Sequence, residues 1–159
     1  MTPRTWLAHP DDAETVARLL IAFRDWYGRD WPSDNAFLAG VERLIERVDT
    51  DFLLGAEHDD APPAGVCQLR YRPCIWTAAE DCWLEDLFVV QTARRSGLGT
   101  ALVEASLARA RVRGCRRVEL DTSETNTAAI ALYERFGFSS SAKSTSGARD
   151  LFMGVRLED

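Results

Sequence analysis

The chain has 159 residues, of which 46% are hydrophobic and 28% charged, a composition typical of one soluble globular domain. A formal net charge of −6 argues against a nucleic-acid-binding surface, and no apolar run is long enough to cross a membrane. The four cysteines form no C-x-x-C pair and lie far from both histidines in the sequence, so we expect neither a metal site nor disulfide bonds. The N-terminal residues lack the apolar core of a signal peptide, and a cytoplasmic location is expected.

The N-terminal half of the chain predicts a strand, two amphipathic helices and three more strands. Residues 4–9 form the first predicted strand, and Pro10 begins a helix whose acidic first turn suits the positive end of the helix dipole. Apolar residues recur at helical spacing until Gly28 interrupts the pattern, and Ser33 or Asp34 then caps a second helix. The next strands are predicted at 51–57, 65–72 and 81–90, with an exposed turn at 58–65 and a loop at Pro73.

The C-terminal half predicts two more helices and three strands. A helix over residues 98–113 ends at Gly114, and one over 126–136 ends at Gly137, because glycine readily takes the left-handed conformation after a helix. Strands are predicted at 117–122, 138–142 and 151–157, the last two joined by a small polar loop. The order β-α-α-β-β-β-α-β-α-β-β indicates an α/β (α+β) fold with a mixed sheet and helices on both faces.

A loop with the pattern R-x-x-G-x-G links a predicted strand to a predicted helix at residues 94–99. Backbone N–H groups of a first helical turn have no partner within the helix, and the helix dipole favours negative charge there. The pattern lacks the Lys-Ser or Lys-Thr pair of a P-loop and the third glycine of a dinucleotide fingerprint. We therefore expect a phosphate-bearing ligand at residues 94–100, and a plain turn with two glycines is the alternative.

A second motif, N-x-x-A-x-x-L-Y-E-x-x-G-F, occupies residues 126–138. Together the two motifs resemble the GNAT superfamily of acyl-CoA-dependent N-acyltransferases, over roughly residues 80–140. The resemblance implies one acyltransferase domain over 1–159, with a mixed, mostly antiparallel sheet of six to seven strands. It also implies that the strands near 88 and 120 splay apart to admit the cofactor.

The resemblance implies acetyl-CoA as co-substrate and no metal. The strand backbone would bind the pantetheine amides, the glycine loop the pyrophosphate, and the second motif the pantetheine arm and sulfur. Arg95 stands where many relatives have glycine, and its side chain either crowds the phosphates or adds a cation to them. The implied cofactor-binding residues are Leu87, Phe88, Val89, Arg94, Arg95, Ser96, Gly97, Leu98, Gly99, Thr100, Asn126 and Tyr133.

Two side chains are expected to move the protons of acetyl transfer. The stretch LEDLFV resembles spermidine/spermine N1-acetyltransferase-like members, which makes Glu85 the candidate general base, acting through a water. Strand alternation would send Glu85 and Asp86 to opposite faces, with Asp86 in a structural role. A structural Glu85 that pairs with an arginine or caps a backbone group is the alternative. The resemblance makes Tyr133 the candidate general acid, and a core tyrosine is the alternative there.

The connection between the first two helices, RDWYGRDWPSDN, combines aromatic and acidic residues. Such a combination suits a cation through charge and cation–π attraction, so Trp26, Tyr27, Asp30 and Trp31, with Glu85, are the candidate substrate site. A polyamine or another small primary amine is the expected substrate, with an aminoglycoside or an amino-acid-like amine still open. A protein or peptide N-acetyltransferase and a non-catalytic acyl-CoA sensor are the alternatives. Because many relatives dimerise, a homodimer is expected.

Overall fold

The structure, a computed structural model, describes residues 2–140, 147–148 and 151–157. The chain divides into two units, Met1–Ser123 and Glu124–Asp159. The first unit contains all the strands of the described residues, and the second contains the last helix. In chain order the elements are β1 (Arg4–Leu7), α1 (Ala13–Trp26), α2 (Asp34–Ile45), β2 (Thr50–Ala56), β3 (Gly65–Cys74), β4 (Ala79–Val89), α3 (Leu98–Val112), β5 (Val118–Glu119) and α4 (Thr127–Arg135), with short 3-10 turns at Pro10–Asp12 and Gln91–Ala93.

The five strands of the described residues form one sheet in the order β1-β2-β3-β4-β5. The first three pairings are antiparallel and the last, between β4 and β5, is parallel. The predicted fold class, a mixed and mostly antiparallel sheet, is confirmed. Its parallel pairing joins only two residues of each strand, Cys82 and Trp83 with Val118 and Glu119.

The sheet has fewer strands than the six to seven predicted. Residues 151–157 form no strand, nor do residues 138–140, and 141–142 lie outside the described residues. The prediction at 151–157 rested on apolar alternation, but alternation becomes a strand only where a neighbouring backbone completes the ladder. Gly154 interrupts the pattern, and the apolar side chains around it are largely exposed. The predicted strand at 117–122 is reduced to β5.

The β3–β4 hairpin extends further than the predicted loop at Pro73. Pro73 lies opposite Glu80 within the ladder. The N–H of Tyr71 donates to the carbonyl of Asp49 (2.9 Å), so the nitrogen of Pro73, two residues later, points to the same edge of β3. The pairing of β2 with β3 ends at Thr50 and Arg70, so no residue of β2 lies beside Pro73. Proline, which has no N–H group to donate, therefore fits at this position.

Helices cover both faces of the sheet in the first unit, as predicted. The N-terminal helices share an apolar cluster with β2, β3 and β4 on one face; its members include Val16, Leu19, Leu20, Val41, Phe52, Leu54, Val66 and Phe88. On the other face α3 lies close to the sheet. The Sγ of Cys67 in β3 is 3.4 Å from the Oγ of Ser106 in α3.

Helix ends follow the capping chemistry predicted from the sequence. Ser33 caps α2, since its Oγ accepts a hydrogen bond from the N–H of Ala36 (3.2 Å). Gly114 and Gly137 follow α3 and α4 with φ of 79° and 91°. The N-terminus of α1 differs slightly, because a 3-10 turn at Pro10–Asp12 precedes the α-helix.

Candidate functional site

The R-x-x-G-x-G loop connects the end of β4 to the first turn of α3. Gly97 is the N-cap of α3 and has φ of 86°, a left-handed conformation that glycine takes without steric cost. The Oγ of Ser96 donates to the carbonyl of Ala93 (2.7 Å) and so closes the preceding turn. Residues 90–100 contain two arginines and no acidic residue. Cations together with the open N–H groups of a helix start fit a diphosphate.

The two arginines of this loop differ in conformation and surroundings. The Nε of Arg94 donates to the carbonyl of Val89 (3.1 Å), and its guanidinium carbon lies 4.8 Å from the ring centroid of Trp26. Arg95 is exposed and has φ of 63°, which is unfavourable for a residue with a Cβ. A positive φ at this position gives a physical reason why glycine would be favoured there over arginine. Neither arginine forms an ion pair within the described residues.

Glu85 is the extra residue of a β-bulge in β4. Leu84 lies opposite Leu69 and Asp86 lies opposite Gln68, which leaves Glu85 without an opposite residue in β3. An Nη1 of Arg70 contacts the carboxylate of Glu85 at 3.2 Å. This ion pair matches the alternative interpretation of Glu85 as an arginine-paired carboxylate, and it leaves a third of the side chain exposed, 33%.

The bulge places Glu85 and Asp86 on the same face of the sheet. Arg70, which contacts Glu85, and Gln68, which lies opposite Asp86, are two residues apart in β3 and therefore share a face. The prediction that strand alternation separates the two carboxylates is wrong, because a bulge interrupts the alternation. Gln68 and Phe88 place this face on the side of α1 and α2.

The pKa of the Asp86 carboxyl group is raised above its usual range. Removal from water, the largest cause, and the negative charges of Glu85 and Asp121 together raise the pKa of Asp86 from 3.8 to about 6. Asp121 follows β5, so carboxylates from two neighbouring segments of the chain act on Asp86. A carboxylate with a pKa near 6 is a stronger base than an ordinary aspartate.

The bulge also decides which backbone groups of β4 face away from β3. The N–H of Val90 donates to the carbonyl of Ala64 (2.9 Å), and bonded and non-bonded pairs alternate along an antiparallel ladder. Leu87 and Val89 consequently direct their N–H groups toward the edge on which β5 lies. Because β5 pairs only with Cys82 and Trp83, the ladder does not extend to Leu87 or Val89 in the described residues. This arrangement agrees with the predicted splaying of the strands.

The aromatic residues at the end of α1 contact β4. The Phe23 ring lies 4.9 Å from those of Tyr27 and Phe88, and Trp26 lies 5.1 Å from Tyr27 and 6.4 Å from Phe88. Trp26 and Tyr27 are about half exposed, at 47% and 50%. The structure therefore brings two of the four predicted substrate-site residues of the helix connection next to the strand that carries Glu85.

Asp30 and Trp31 lie in the exposed connection between α1 and α2. Within the described residues no hydrogen bond or ring contact joins them to Glu85 or Asp86. The connection is held instead by Arg24, whose Nη1 donates to the carbonyl of Pro32 (2.7 Å). The predicted substrate site is thus only partly assembled around β4.

The second unit contains two further predicted site residues, Asn126 at the N-cap of α4 and Tyr133 within this helix. Asn126 caps this helix, and its Oδ1 accepts a hydrogen bond from the N–H of Ala129 at 3.4 Å. Tyr133 is largely buried, with 8% of its surface exposed, and its ring lies 5.7 Å from that of Phe138. The capping role of Asn126 is therefore observed, whereas the roles of Asn126 and Tyr133 toward acetyl-CoA stay predictions.

Two of the cysteines in the first unit, Cys67 and Cys82, have thiols that are not suited to nucleophilic catalysis. Burial raises the pKa of the Cys67 and Cys82 thiols to about 12, which keeps both protonated near neutral pH. Among the residues that the structure describes, no cluster of three His, Cys, Asp or Glu side chains has the arrangement of a metal site. Nor does any described helix have the length and apolarity to cross a membrane.

Three features of this site were not predicted from the sequence. The bulge at Glu85, the charge of Asp121 near Asp86 and the stacking of Arg94 on Trp26 all depend on contacts between distant segments. Two adjacent carboxylates in an apolar strand were the available signal for the bulge, since regular alternation would bury one of them.

The chain resembles known acetyltransferases in sequence and in structure. The model of the acetyltransferase (GNAT) family matches residues 17–138. The aminoglycoside N(6')-acetyltransferase type 1 of Klebsiella aerogenes is 38% identical over 90 residues, covering 53% of this chain and 57% of that protein. A mycothiol acetyltransferase of Gordonia bronchialis is 31% identical over 142 residues, covering 85% of this chain and 42% of that protein. The chain thus spans about half the length of these curated relatives.

A solved structure from Arthrobacter sp. FB24 matches nearly the whole chain, with a TM-score of 0.80 and 29% identity over 99% of this chain and 96% of that one. The chain belongs to the GNAT family of acetyltransferases.

Proposed function

We propose that this protein transfers an acetyl group from acetyl-CoA to a primary amine of a small polycationic molecule. One observation carries the proposal: β4 has a bulged carboxylate pair and an open backbone edge, and the R-x-x-G-x-G loop follows it a few residues later in the chain. The family uses acetyl-CoA as co-substrate, and the donors at the loop fit its diphosphate. In this proposal residues 1–159 act as one acyltransferase domain, in a cytoplasmic homodimer.

The backbone and the loop would hold acetyl-CoA. Leu87 and Val89 direct N–H groups to the open edge, where they would bind the pantetheine amides as a neighbouring strand would. Arg94, Arg95 and the first turn of α3 would hold the diphosphate through charge and N–H donors. Phe88 has its side chain in the core and, by the same alternation, its N–H on the β3 side, so it would support the site by packing rather than by a bond to the cofactor. The remaining loop and helix contacts stay as predicted, at Ser96, Gly97, Leu98, Gly99, Thr100, Asn126 and Tyr133.

Acetyl transfer then requires two proton movements. Acetyl-CoA supplies the thioester: the amine nitrogen bonds to the carbonyl carbon while the carbon–sulfur bond breaks. We propose that Glu85 accepts the proton that the amine loses, through a water, and that Tyr133 donates a proton to the departing sulfur. Asp86 is a second candidate for the base, because its raised pKa suits proton transfer near neutral pH.

The charge of the site supports a cationic substrate. Glu85, Asp86 and Asp121 interact electrostatically, and Arg70 forms the ion pair with Glu85 on the same face. The half-exposed rings of Trp26 and Tyr27 provide cation–π surfaces nearby, and Asp30 and Trp31 would extend this wall. A relative named for acetylation of aminoglycosides agrees with a polyamine-like or aminoglycoside amine.

The decisive experiment has two stages. Titration calorimetry with acetyl-CoA should give saturable binding near one per chain, and Arg94→Ala should weaken it while Arg111→Ala, an exposed arginine at the other end of α3, should not. Thiol release should then be measured with a diamine, an aminoglycoside and a short peptide. Turnover of the peptide alone would favour a protein N-acetyltransferase. Binding without turnover of any amine would favour a sensor, and absence of binding would overturn the proposal.

A further inference from the structure

The contacts of Arg94 and Trp26 concern the phosphate loop rather than the amine site. The Nε of Arg94 donates to the carbonyl of Val89 (3.1 Å), which fixes one edge of the guanidinium. Its carbon lies 4.8 Å from the centroid of Trp26 and 5.7 Å from that of Phe88, which places the group against aromatic surface. A guanidinium so held keeps the N–H groups of its Nη1 and Nη2 atoms for other acceptors.

No carboxylate neutralises this guanidinium by an ion pair among the described residues. Of the fourteen other arginines in the first unit, seven do have such a partner, as Arg109 does in Asp51 at 2.7 Å. Arg94 is instead supported by aromatic rings and a backbone carbonyl. Rings hold a cation in place without cancelling its charge, so the site retains a full positive charge for an anion.

Trp26 is the half-exposed member of the aromatic surface that Arg94 contacts. Phe88 is buried and belongs to the core, whereas Trp26 is 47% exposed at the last residue of α1. Its ring is held by Tyr27 at 5.1 Å and by Phe23 at 6.3 Å, so it has a defined position although it is half exposed. α1 therefore presents an aromatic face to an arginine that lies far from it in the sequence.

We propose that Trp26 is a positioning residue for acetyl-CoA, which acts by holding the guanidinium of Arg94 where it meets the diphosphate. The inference rests on the proposed function and assigns Trp26 a role toward the acyl donor in addition to its place in the candidate amine site. An arginine side chain loses rotamer entropy when it binds a ligand, and a ring that restrains it beforehand reduces that cost.

The test is a double-mutant cycle on the equilibrium dissociation constant of acetyl-CoA, measured by calorimetry. Trp26→Ala should raise this constant about 3- to 10-fold, the range of an exposed to partly desolvated cation–π contact. Trp26→Phe should restore most of the affinity, because it keeps a ring face. In the Arg94→Ala background, Trp26→Ala should change the constant by less than about twofold, because Trp26 acts through Arg94.

Two controls separate this role from others. Trp76→Ala removes a tryptophan that is 96% exposed at the tip of the β3–β4 hairpin, and it should leave the dissociation constant unchanged. In steady-state kinetics Trp26→Ala should raise the KM for acetyl-CoA more than it changes kcat. An unchanged dissociation constant in Trp26→Ala, or an equal loss with and without Arg94, would overturn the inference while leaving the proposed function intact. Absence of acetyl-CoA binding by the wild-type protein would overturn both.

Discussion

Glu85 and Asp86, adjacent in the sequence, direct their carboxyl groups to the same face of the sheet. Glu85 is the bulged residue of β4 and pairs with Arg70, whereas Asp86 returns to the ladder opposite Gln68. A regular strand would have placed one carboxylate toward each layer of helices. The bulge instead concentrates negative charge beside the open edge of β4. The pKa of Asp86 is raised because its carboxyl group is removed from water and lies near other negative charges.

Asp86→Asn should stabilise the protein at neutral pH. A carboxyl group whose folded-state pKa is raised from 3.8 to about 6 destabilises the folded protein once it ionises. Below about pH 4 the carboxyl group is protonated in both the folded and the unfolded protein, so it costs no stability. The loss of stability grows between about pH 4 and pH 6 and is constant above pH 6. Urea unfolding should show a gain of about 1–3 kcal/mol for the variant at pH 8 and little gain at pH 4. An equal gain at both pH values would contradict the proposed cause.

The pH dependence of turnover should identify the carboxylate that acts on the amine. If the ionised form of Asp86 is required, kcat/KM for the wild-type protein rises with pH through about 6, following the pKa of this group. Asp86→Asn should abolish this rise of kcat/KM with pH. Glu85→Gln should lower the rate by about 100-fold or more, on the order of the loss of a general base. Glu104→Gln, on the exposed face of α3, is the matched control. If kcat/KM of Asp86→Asn still rises with pH near 6, this carboxyl group is excluded as the cause of the rise.

The features predicted correctly from the sequence are those set by local chemistry. The apolar stripe of α1, the Ser33 cap of α2 and the glycines after α3 and α4 act within a few residues of the chain, and each occurs in the structure. The R-x-x-G-x-G loop likewise combines a positive φ at Gly97 with a helix start, both of which the motif encodes.

The features that were missed depend on pairing across the sheet. A bulge at Glu85 and a regular strand have the same local sequence, and only the register against Gln68 and Leu69 distinguishes them. The same limit explains the predicted strand at 151–157, where alternation alone did not reveal whether a neighbouring backbone was available. The contact of Arg94 with Trp26 joins residues of two separate elements, and its signal in the sequence was only an aromatic residue at a helix end.

Arg95→Gly should stabilise the free protein relative to Arg95→Ala. Both variants remove the guanidinium, but alanine keeps a Cβ at φ of 63° and glycine does not. Since glycine also gains entropy in the unfolded chain, the net difference in the free energy of unfolding should be about 1 kcal/mol in favour of glycine. If Arg95 adds a cation to the phosphate site, both variants should weaken acetyl-CoA binding in a salt-dependent way. Equal stability of the two variants would show that the loop relaxes to another conformation.

Gly65→Ala should destabilise the protein through the first turn of α3. A Cβ at Gly65 would lie 2.8 Å from a Cδ1 of Leu102 and 3.2 Å from the Cδ2 of Leu98, and both leucines are buried. Because a packed interior cannot absorb an added methyl group without shifting side chains or backbone, we expect a loss of about 1–3 kcal/mol in the free energy of unfolding.

The same substitution should also affect the phosphate loop, because Leu98 is the first residue of α3 and directly follows Gly97. A displaced Leu98 moves the N–H groups that face the proposed diphosphate, so acetyl-CoA affinity should fall together with stability. Gly40→Ala, in α2 with open space around its Cα, is the control and should stabilise slightly because alanine favours a helix. A Leu102→Ala change in the Gly65→Ala background should cost less than in the wild-type protein, since it frees the volume that the new methyl group needs. Additive losses in this pair would mean that the destabilisation arises elsewhere than in the contact between the sheet and α3.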